Sequence, residues 1–311
     1  QVVVNADGAI AFNGVCDATY GYTIAGTGVG GTGALVNAGA GIANNLAQTS
    51  NIKLSADATV GGSGNWSLLT NGYGATVLDL NGQTLTKTRA NNIFLVNSTI
   101  TAGTVQVSSG TLWFGVSENV AGVNASAANV VADSGGTLRV LRPSTLGSLT
   151  LNGGTLNTAQ NLANNITLNN TANTIAPDGA YRVLSGQLTG MGGFTVASGG
   201  GTPGLELNNP ANNFAGNVTV HNGTFLRLSA AEVLPNTATV TVNVGGNLRM
   251  DVSGGGTETV AGLGGGGQIW VPIGNDAMHT LAVGAGDTTS SFPGVIGPTG
   301  QNNAFLSLVK T

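Results

Sequence analysis

Short runs of alternating apolar and polar residues, separated by corners that contain glycine, recur along the chain. The clearest copies span residues 104–114, 129–140, 148–158, 217–228 and 240–250. A period of two predicts short β-strands with one buried face, whereas the helical period of 3.6 is almost absent. The sequence therefore predicts an all-β protein.

Glycines mark the corners between these runs, at Gly110, Gly136, Gly154, Gly223 and Gly246. Their successive separations of 26, 18, 69 and 23 residues fit a unit of about 20–26 residues, since 69 is three units of 23. Such a unit, with two or three short strands, is typical of one coil of a β-solenoid, and glycine provides the positive φ of a sharp corner. At roughly 22 residues per coil the chain would form about 14 coils. The corner at 221–223 is accordingly predicted to join parallel strands rather than to close a hairpin.

Three other architectures fit the pattern less well. A transmembrane barrel needs strands of about 10 alternating residues and aromatic girdles, but these runs are half as long and aromatic residues make up 5% of the chain. A leucine-rich repeat requires its asparagine later than Asn152 and a helical segment after it. A β-sandwich explains many short strands but not a recurring Gly-Thr corner. We therefore expect a parallel β-helix.

Composition excludes several classes of partner. Charged residues make up 7% of the chain, against an ordinary share of about 25%, and the nine basic residues form no patch that could follow a nucleic-acid backbone. No apolar run is long enough for a membrane helix, so no membrane insertion by this segment is expected. Cys16 is the single cysteine, so an internal disulfide is excluded. Its side chain is predicted to be a small buried apolar group.

Residues 212–228, NNFAGNVTVHNGTFLRL, carry a more specific pattern. They resemble the autotransporter-associated β-strand repeat of bacterial secreted passenger domains, whose core is Asn-x-aromatic-x-Gly, a Thr/Val alternation and Gly-Thr-Leu. Gly216 occupies the glycine position of that core, and weaker copies occur at 19–28, 84–96, 291–300 and 305–311. The resemblance implies a right-handed parallel β-helix that is exported and displayed outside a bacterial cell.

This resemblance also bears on domain organisation. The last residues stop where the repeat would continue, and no membrane-anchoring barrel is present, so we expect 1–311 to be one continuous segment of a longer solenoid. All eight prolines lie after Arg142, and because proline cannot donate to an interior ladder they suggest a looser second part over 143–311. Open strand edges at the ends of a solenoid favour end-to-end self-association or continuation of the same solenoid.

These features predict an extracellular structural or adhesive protein on the bacterial outer surface. It would be a stiff rod that forms or extends a surface fibre or filament, with a surface polysaccharide or a receptor on a host or neighbouring cell as its partner. The alternative is a carbohydrate-active enzyme or a carbohydrate-binding module on the same scaffold. Because the 13 acidic residues are spread singly, we expect no catalytic, cofactor or metal site.

Few residues are candidates for specific chemistry. Trp66, Trp113 and Trp270 lie in Gly/Ser/Thr-rich surroundings and could stack on sugars, although packing in the core or at corners is the simpler interpretation. Asp276 and His279 form the densest polar group and are interpreted as a polar loop, and His221 as an outward strand residue. Residues 61–69 resemble a calcium-binding nonapeptide, but Trp66 stands where the Asp ligand is needed.

Overall fold

A computed structural model describes residues 1–14, 20–42, 49–117, 120–271, 277–286, 288–297 and 305–311. Cys16 and Asp276 lie outside the described residues. The predicted all-β parallel β-helix is confirmed: 53% of the residues lie in strands and 2% in helices, and parallel sheets stack as a β-solenoid of about 12 turns. The two helical segments are short 3-10 turns, Val29–Gly31 and Asn71–Tyr73.

The chain divides into two compact units, 1–156 and 157–311, and the boundary falls inside the strand Thr155–Thr158. The continuity of 1–311 as one solenoid stays a prediction. The first sixteen strands are β1 Val2–Val4, β2 Ile10–Ala11, β3 Gly21–Gly26, β4 Leu35–Asn37, β5 Asn51–Gly62, β6 Trp66–Leu68, β7 Thr76–Asp79, β8 Thr84–Lys87, β9 Asn92–Leu95, β10 Ser98–Ile100, β11 Gly103–Val107, β12 Gly110–Phe114, β13 Asn124–Asp133, β14 Gly136–Val140, β15 Thr145–Asn152 and β16 Thr155–Thr158. The strands that follow are β17 Ile166–Leu168, β18 Asn173–Pro177, β19 Gly179–Leu184, β20 Leu188–Thr189, β21 Phe194–Val196, β22 Gly201–Leu207, β23 Val218–Val220, β24 Phe225–Leu228, β25 Thr239–Val242, β26 Asn247–Met250, β27 Gly256–Val260, β28 Gly262–Gly264, β29 Gln268–Trp270, β30 Met278–Val283, β31 Val295–Ile296 and β32 Phe305–Lys310.

Strands that occupy the same place in successive coils pair in parallel. In the first unit one sheet follows the order β1-β3-β5-β7-β10-β13-β15, with β2, β4, β8 and β11 alongside, and another follows β6-β9-β12-β14. In the second unit the sheets follow β18-β21-β23-β25-β28, β19-β22-β24-β26-β29-β31 and β27-β30-β32. In the first unit β7 and β8 both pair with β5, and β10 and β11 both pair with β13, so these coils contribute two strands to one sheet. This pairing of equivalent strands between successive coils is what a solenoid requires.

The core of each unit is a set of apolar columns that run from coil to coil. In the second unit Leu205 pairs with Leu226, which pairs with Leu248, and all three are fully buried. In the first unit Leu95 and Phe114 belong to an equivalent buried column. Because side chains alternate between the faces of a strand, these inward columns leave the residues between them on the outer face.

The corner at 221–223 joins strands of different sheets. Strand β23 pairs with β21 and β25, whereas β24 pairs with β22 and β26, and every one of these pairings is parallel. The predicted bend between parallel strands is therefore confirmed. The His221 side chain is exposed, just after the end of β23.

Coil length varies more than the sequence predicted. Successive partners in the β22-β24-β26 ladder are 21 or 22 residues apart, but Gly21 of β3 pairs with Asn51 of β5, 30 residues further on. Long coils in the first unit account for about 12 turns where about 14 were expected.

The corner glycines serve two different purposes. Gly110 and Gly223 have the expected positive φ of 68° and 72°. At the double-glycine corners the positive φ lies one residue earlier than predicted, at Gly135, Gly153 and Gly245 rather than at Gly136, Gly154 and Gly246. A Cβ on Gly136 would overlap the carbonyl oxygen of Val107, so this second glycine lets two coils approach closely. Gly216 is of the same kind, because a Cβ there would overlap the backbone at Gly192 and Gly193.

Candidate functional site

Two of the three tryptophans are engaged by packing within the first unit. Trp66 is 1% exposed, donates its Nε1–H to the Gly61 carbonyl oxygen at 3.0 Å and packs against Phe12 at 5.4 Å between ring centroids. The candidate assignment of Trp66 to sugar stacking is therefore wrong, since a buried ring cannot meet a ligand. Trp113 is half-buried between Phe94, at 5.2 Å, and the guanidinium of Arg139, at 4.3 Å from the ring centroid.

The third tryptophan belongs to an outward column in the second unit. Trp270 is half-buried and donates its Nε1–H to Asn247 Oδ1 at 3.1 Å. Its strand, β29, pairs with β26 so that Arg249 is the neighbour of Trp270 on the preceding coil. Trp270 is thus positioned on a face that could be reached from solvent, and this face carries the richest chemistry of the described residues.

That face, here called the arginine face, is the outer side of the β22-β24-β26-β29 ladder. Glu206 pairs with Arg227 and Arg227 with Arg249, so these outward residues form a column that ends at Trp270. The apolar residues on either side of each one point inward and are buried. The alternation of strand residues therefore positions four outward side chains on four consecutive coils.

Arg227 is held between two carboxylates. Its Nη1 lies 3.0 Å from Glu206 Oε2 and its Nη2 lies 2.5 Å from Asp251 Oδ2. The same guanidinium is 5.6 Å from the centroid of the Tyr181 ring. Two carboxylates bound to one guanidinium fix the rotamer of Arg227 and leave these three groups with one net negative charge.

Arg249 has aromatic neighbours but no carboxylate. Its guanidinium carbon lies 3.4 Å from the centroid of the Phe225 ring and 4.8 Å from that of Trp270. Across the part of the chain that the structure describes, Arg249 makes no hydrogen bond and no ion pair, and its Nε is buried. Desolvation by burial and the charge of Arg227 lower the pKa of Arg249, and the charge of Asp251 raises it. Since arginine nevertheless remains charged in proteins, this is a partly buried cation whose N–H donors have no acceptor among the described residues.

A cleft opens beside this cation. Tyr181, Phe225, Arg227, Arg249 and Asp251 line a cavity of about 210 Å³. Phe225 lies over Gly204 of the preceding coil, where a Cβ would overlap its ring, so the absence of a side chain at Gly204 lets the ring lie flat on the sheet. Tyr181 is 47% exposed and forms the open wall. The arrangement can bind a ligand through aromatic surface and guanidinium donors.

A larger groove in the first unit carries less chemistry. It measures about 690 Å³ and is lined by Thr32, Val36, Ala38, Gly62, Ser63, Asn65, Arg89, Ala90 and Asn91. Arg89 is its one charged residue, and none of these residues is aromatic. Size alone does not make a site, so the smaller cleft with convergent charged and aromatic groups is the better candidate.

Among the described residues, a lysine, a glutamate and a histidine are fully buried, and sequence reasoning missed the first two and misplaced the third. Lys87 and Glu258 lie at inward strand positions and are fully buried. His279, predicted to lie in a polar loop, is instead a fully buried residue of strand β30 whose ring nitrogens have no partner among the described residues. Burial lowers the pKa of His279, so the ring is held neutral.

Glu258 and Lys87 both contact backbone of their own unit. Glu258 accepts the N–H groups of Val233 and Leu234 at 3.0 and 2.7 Å, while burial raises its pKa to about 8. Lys87 donates from Nζ to three carbonyl oxygens and to Asn91 Oδ1, and burial lowers its pKa to about 7. Both groups lie inside the solenoid, so their role is structural rather than in a binding site.

The described residues contain no group of three or more His, Cys, Asp or Glu that could hold a metal ion. Within the same residues, no helix is long and apolar enough to span a membrane.

The arginine face was missed by sequence reasoning because acidic residues were compared at short spacings, whereas Glu206, Arg227 and Arg249 are one coil apart. Aligning the apolar-x-apolar triplets at 205–207, 226–228 and 248–250 would have found it.

Comparison with protein families, curated proteins and solved structures finds no significant match to this chain.

Proposed function

We propose that the chain is a structural or adhesive segment of an extracellular bacterial surface protein. The observation that supports this proposal is the in-register stacking of fully buried apolar columns, such as Leu205-Leu226-Leu248, behind parallel backbone ladders. Each coil is held by its neighbours through its paired strands, which favours a stiff scaffold whose outer face is free to vary. The resemblance of residues 212–228 to a passenger-domain repeat supports the extracellular location.

Labelling of intact cells of the source organism tests this proposal. An antibody against the folded chain should label unpermeabilised cells, and protease added outside the cells should remove the signal. Labelling that requires lysis would refute the extracellular role.

We further propose that the open edge of β32, which among the described residues pairs only with β30, is covered by another coil, of the same polypeptide or of a second copy. Electron microscopy of the native material should then show filaments, and a protein that stays monomeric at all concentrations would count against self-association.

The arginine face favours a second function, carbohydrate binding. An exposed aromatic ring beside fixed polar side chains is an arrangement that suits the mixed apolar and hydroxyl surface of a sugar. Because both carboxylates of the face are engaged by Arg227, we propose binding without turnover. A screen of the folded chain against neutral and acidic glycans tests the proposal. Release of shortened glycan products would show a carbohydrate-active enzyme instead.

A further inference from the structure

Arg249, in the arginine face, has N–H donors without acceptors, and these donors indicate the chemical class of the ligand. The cleft contains two guanidinium groups and Asp251, and Glu206 lies directly beside it. Both carboxylates are bound to the terminal nitrogens of Arg227, so these two nitrogens are already engaged. Arg249 is left with donors that no described residue accepts. The missing partner is therefore a hydrogen-bond acceptor that reaches Arg249 from the cleft, and a charged acceptor makes the stronger bond to a guanidinium.

The charges around Arg249 select the type of anion. Asp251 lines the cleft and its charge acts on Arg249. With Glu206 it already balances the charges of Arg227 and Arg249, so a second negative charge on the ligand would be disfavoured. A carboxylate carries a single charge, and its planar geometry matches two parallel N–H groups of a guanidinium. Phe225 and Trp270 hold the guanidinium plane by stacking, so the donors are preorganised rather than mobile. A monocarboxylate is thus the anion that this site fits best.

The rest of the cleft fits a sugar ring. Tyr181 is exposed at the open wall, where its ring can pack against the C–H face of a pyranose. The volume of about 210 Å³ is smaller than a site for a drug-sized ligand, which suits a single residue of a polymer. Gln268 is exposed beyond the cleft on the next coil, where it can contact a neighbouring sugar.

We propose that the cleft binds a uronate residue of an acidic polysaccharide, with the uronate carboxylate on Arg249 and its pyranose ring against Tyr181. This inference rests on the carbohydrate-binding function proposed above and adds the chemical class of the ligand. The polysaccharide chain would continue across the outer face of the second unit, over the adjacent coils.

Calorimetric titration of the full chain tests the proposal. The probes are a galacturonate oligosaccharide, a neutral galactose oligosaccharide of the same length and a polyglutamate peptide. The galacturonate should bind, more weakly as salt is raised, and the other two should not. Loss of one charge-assisted contact predicts that Arg249→Met weakens binding about 10- to 100-fold. Tyr181→Ala should weaken it by a similar amount without affecting the fold, since this side chain is exposed.

Arg139→Met is the matched control, because Arg139 also lies over a tryptophan ring but in the other unit, outside this cleft. It should leave galacturonate binding unchanged. Should Arg249→Met fail to fold, Arg249→Lys keeps the charge but loses the planar fork and should still weaken binding.

Four results overturn the inference. Equal binding of the neutral oligosaccharide would leave the carbohydrate function intact but refute the uronate. Binding of polyglutamate alone would identify an acidic protein partner instead. Unchanged galacturonate binding by Arg249→Met and Tyr181→Ala would place the glycan elsewhere. Absence of binding to any glycan would refute both this inference and the carbohydrate function.

Discussion

The buried amine of Lys87 offers the sharpest test of how the first unit is held together. Its Nζ donates to the carbonyl oxygens of Thr88, Arg89 and Ser109 at 3.1, 2.7 and 2.9 Å, and to Asn91 Oδ1 at 3.0 Å. Thr88 and Arg89 lie just after β8, and Ser109 lies between β11 and β12 of the next coil. Lys87 therefore joins the corners of two successive coils from the inside.

Replacing Lys87 by methionine keeps an unbranched apolar stem but removes the donors. Along its column Lys87 pairs with Val60 and Val107, so an apolar stem is tolerated in that position. Leaving several buried oxygens without a donor should cost about 3–5 kcal/mol, because each unsatisfied group costs about 1–3 kcal/mol and part of that loss is recovered by relaxation. For a unit of this size the thermal midpoint should fall by roughly 6–20 °C.

Urea unfolding followed by circular dichroism at pH 7 measures this change. Lys53→Met is the matched control, because Lys53 is 51% exposed and makes a single surface ion pair with Asp79 at 3.3 Å. That variant should lose less than about 1 kcal/mol. Since burial lowers the pKa of Lys87 to about 7, the unfolded chain binds a proton that the folded chain does not between pH 7 and 10.5. The loss caused by Lys87→Met should then be larger at pH 9 than at pH 7. Equal stability of the two methionine variants would refute the inference that Lys87 joins the coils.

Glycine, glutamate and tryptophan positions give three further tests of the packing. Gly136→Ala, whose Cβ would overlap Val107 of the preceding coil, should cost about 3 kcal/mol or more. Gly223→Ala, which has open space and only a strained φ of 72°, should cost about 1–2 kcal/mol. Equal losses in urea unfolding would contradict the distinction. Burial raises the pKa of Glu258 to about 8, so the folded protein must lose stability as pH rises from about 4.5 to about 8, whereas a Glu258→Gln variant does not. The variant should therefore gain up to ~5 kcal/mol of stability relative to wild type over this range. A constant difference in melting temperature between the two proteins would show that Glu258 is ionised in the fold. In urea unfolding, Trp66→Ala should lose about 3–5 kcal/mol of stability and Trp270→Ala much less. Equal losses would show that the half-buried Trp270 ring contributes as much packing as the buried Trp66 ring.

The fold could be predicted from the sequence because its signals are local and repeated. A period of two and a corner every 20 or so residues are both visible in 217–228, and the structure joins β23 and β24 through that corner as expected. The long pairing offset between Gly21 and Asn51 could not be predicted, since a solenoid coil tolerates extra residues in its loops without losing register.

The direction of individual side chains was harder to predict. Trp66 occupies a three-residue strand in which every residue is buried, so alternation gives no sign of which face the indole occupies. The double-glycine corners show the same limit: composition predicts that one of Gly135 and Gly136 has positive φ, but only the position of the neighbouring coil decides which one and why the other lacks a side chain.

The arginine face shows where the functional information of a solenoid is held. Glu206, Arg227 and Arg249 are unremarkable as single residues, and each is surrounded in sequence by apolar neighbours. They come together because the ladder registers them one coil apart, and the fourth residue of the column, Trp270, then stacks on Arg249. Since the inner columns fix this register whatever the outer residues are, the outer face can change without altering the fold. The residues of a site on this scaffold therefore lie in one column, separated in sequence by the length of a coil, and a search for residues that are close in sequence will miss them.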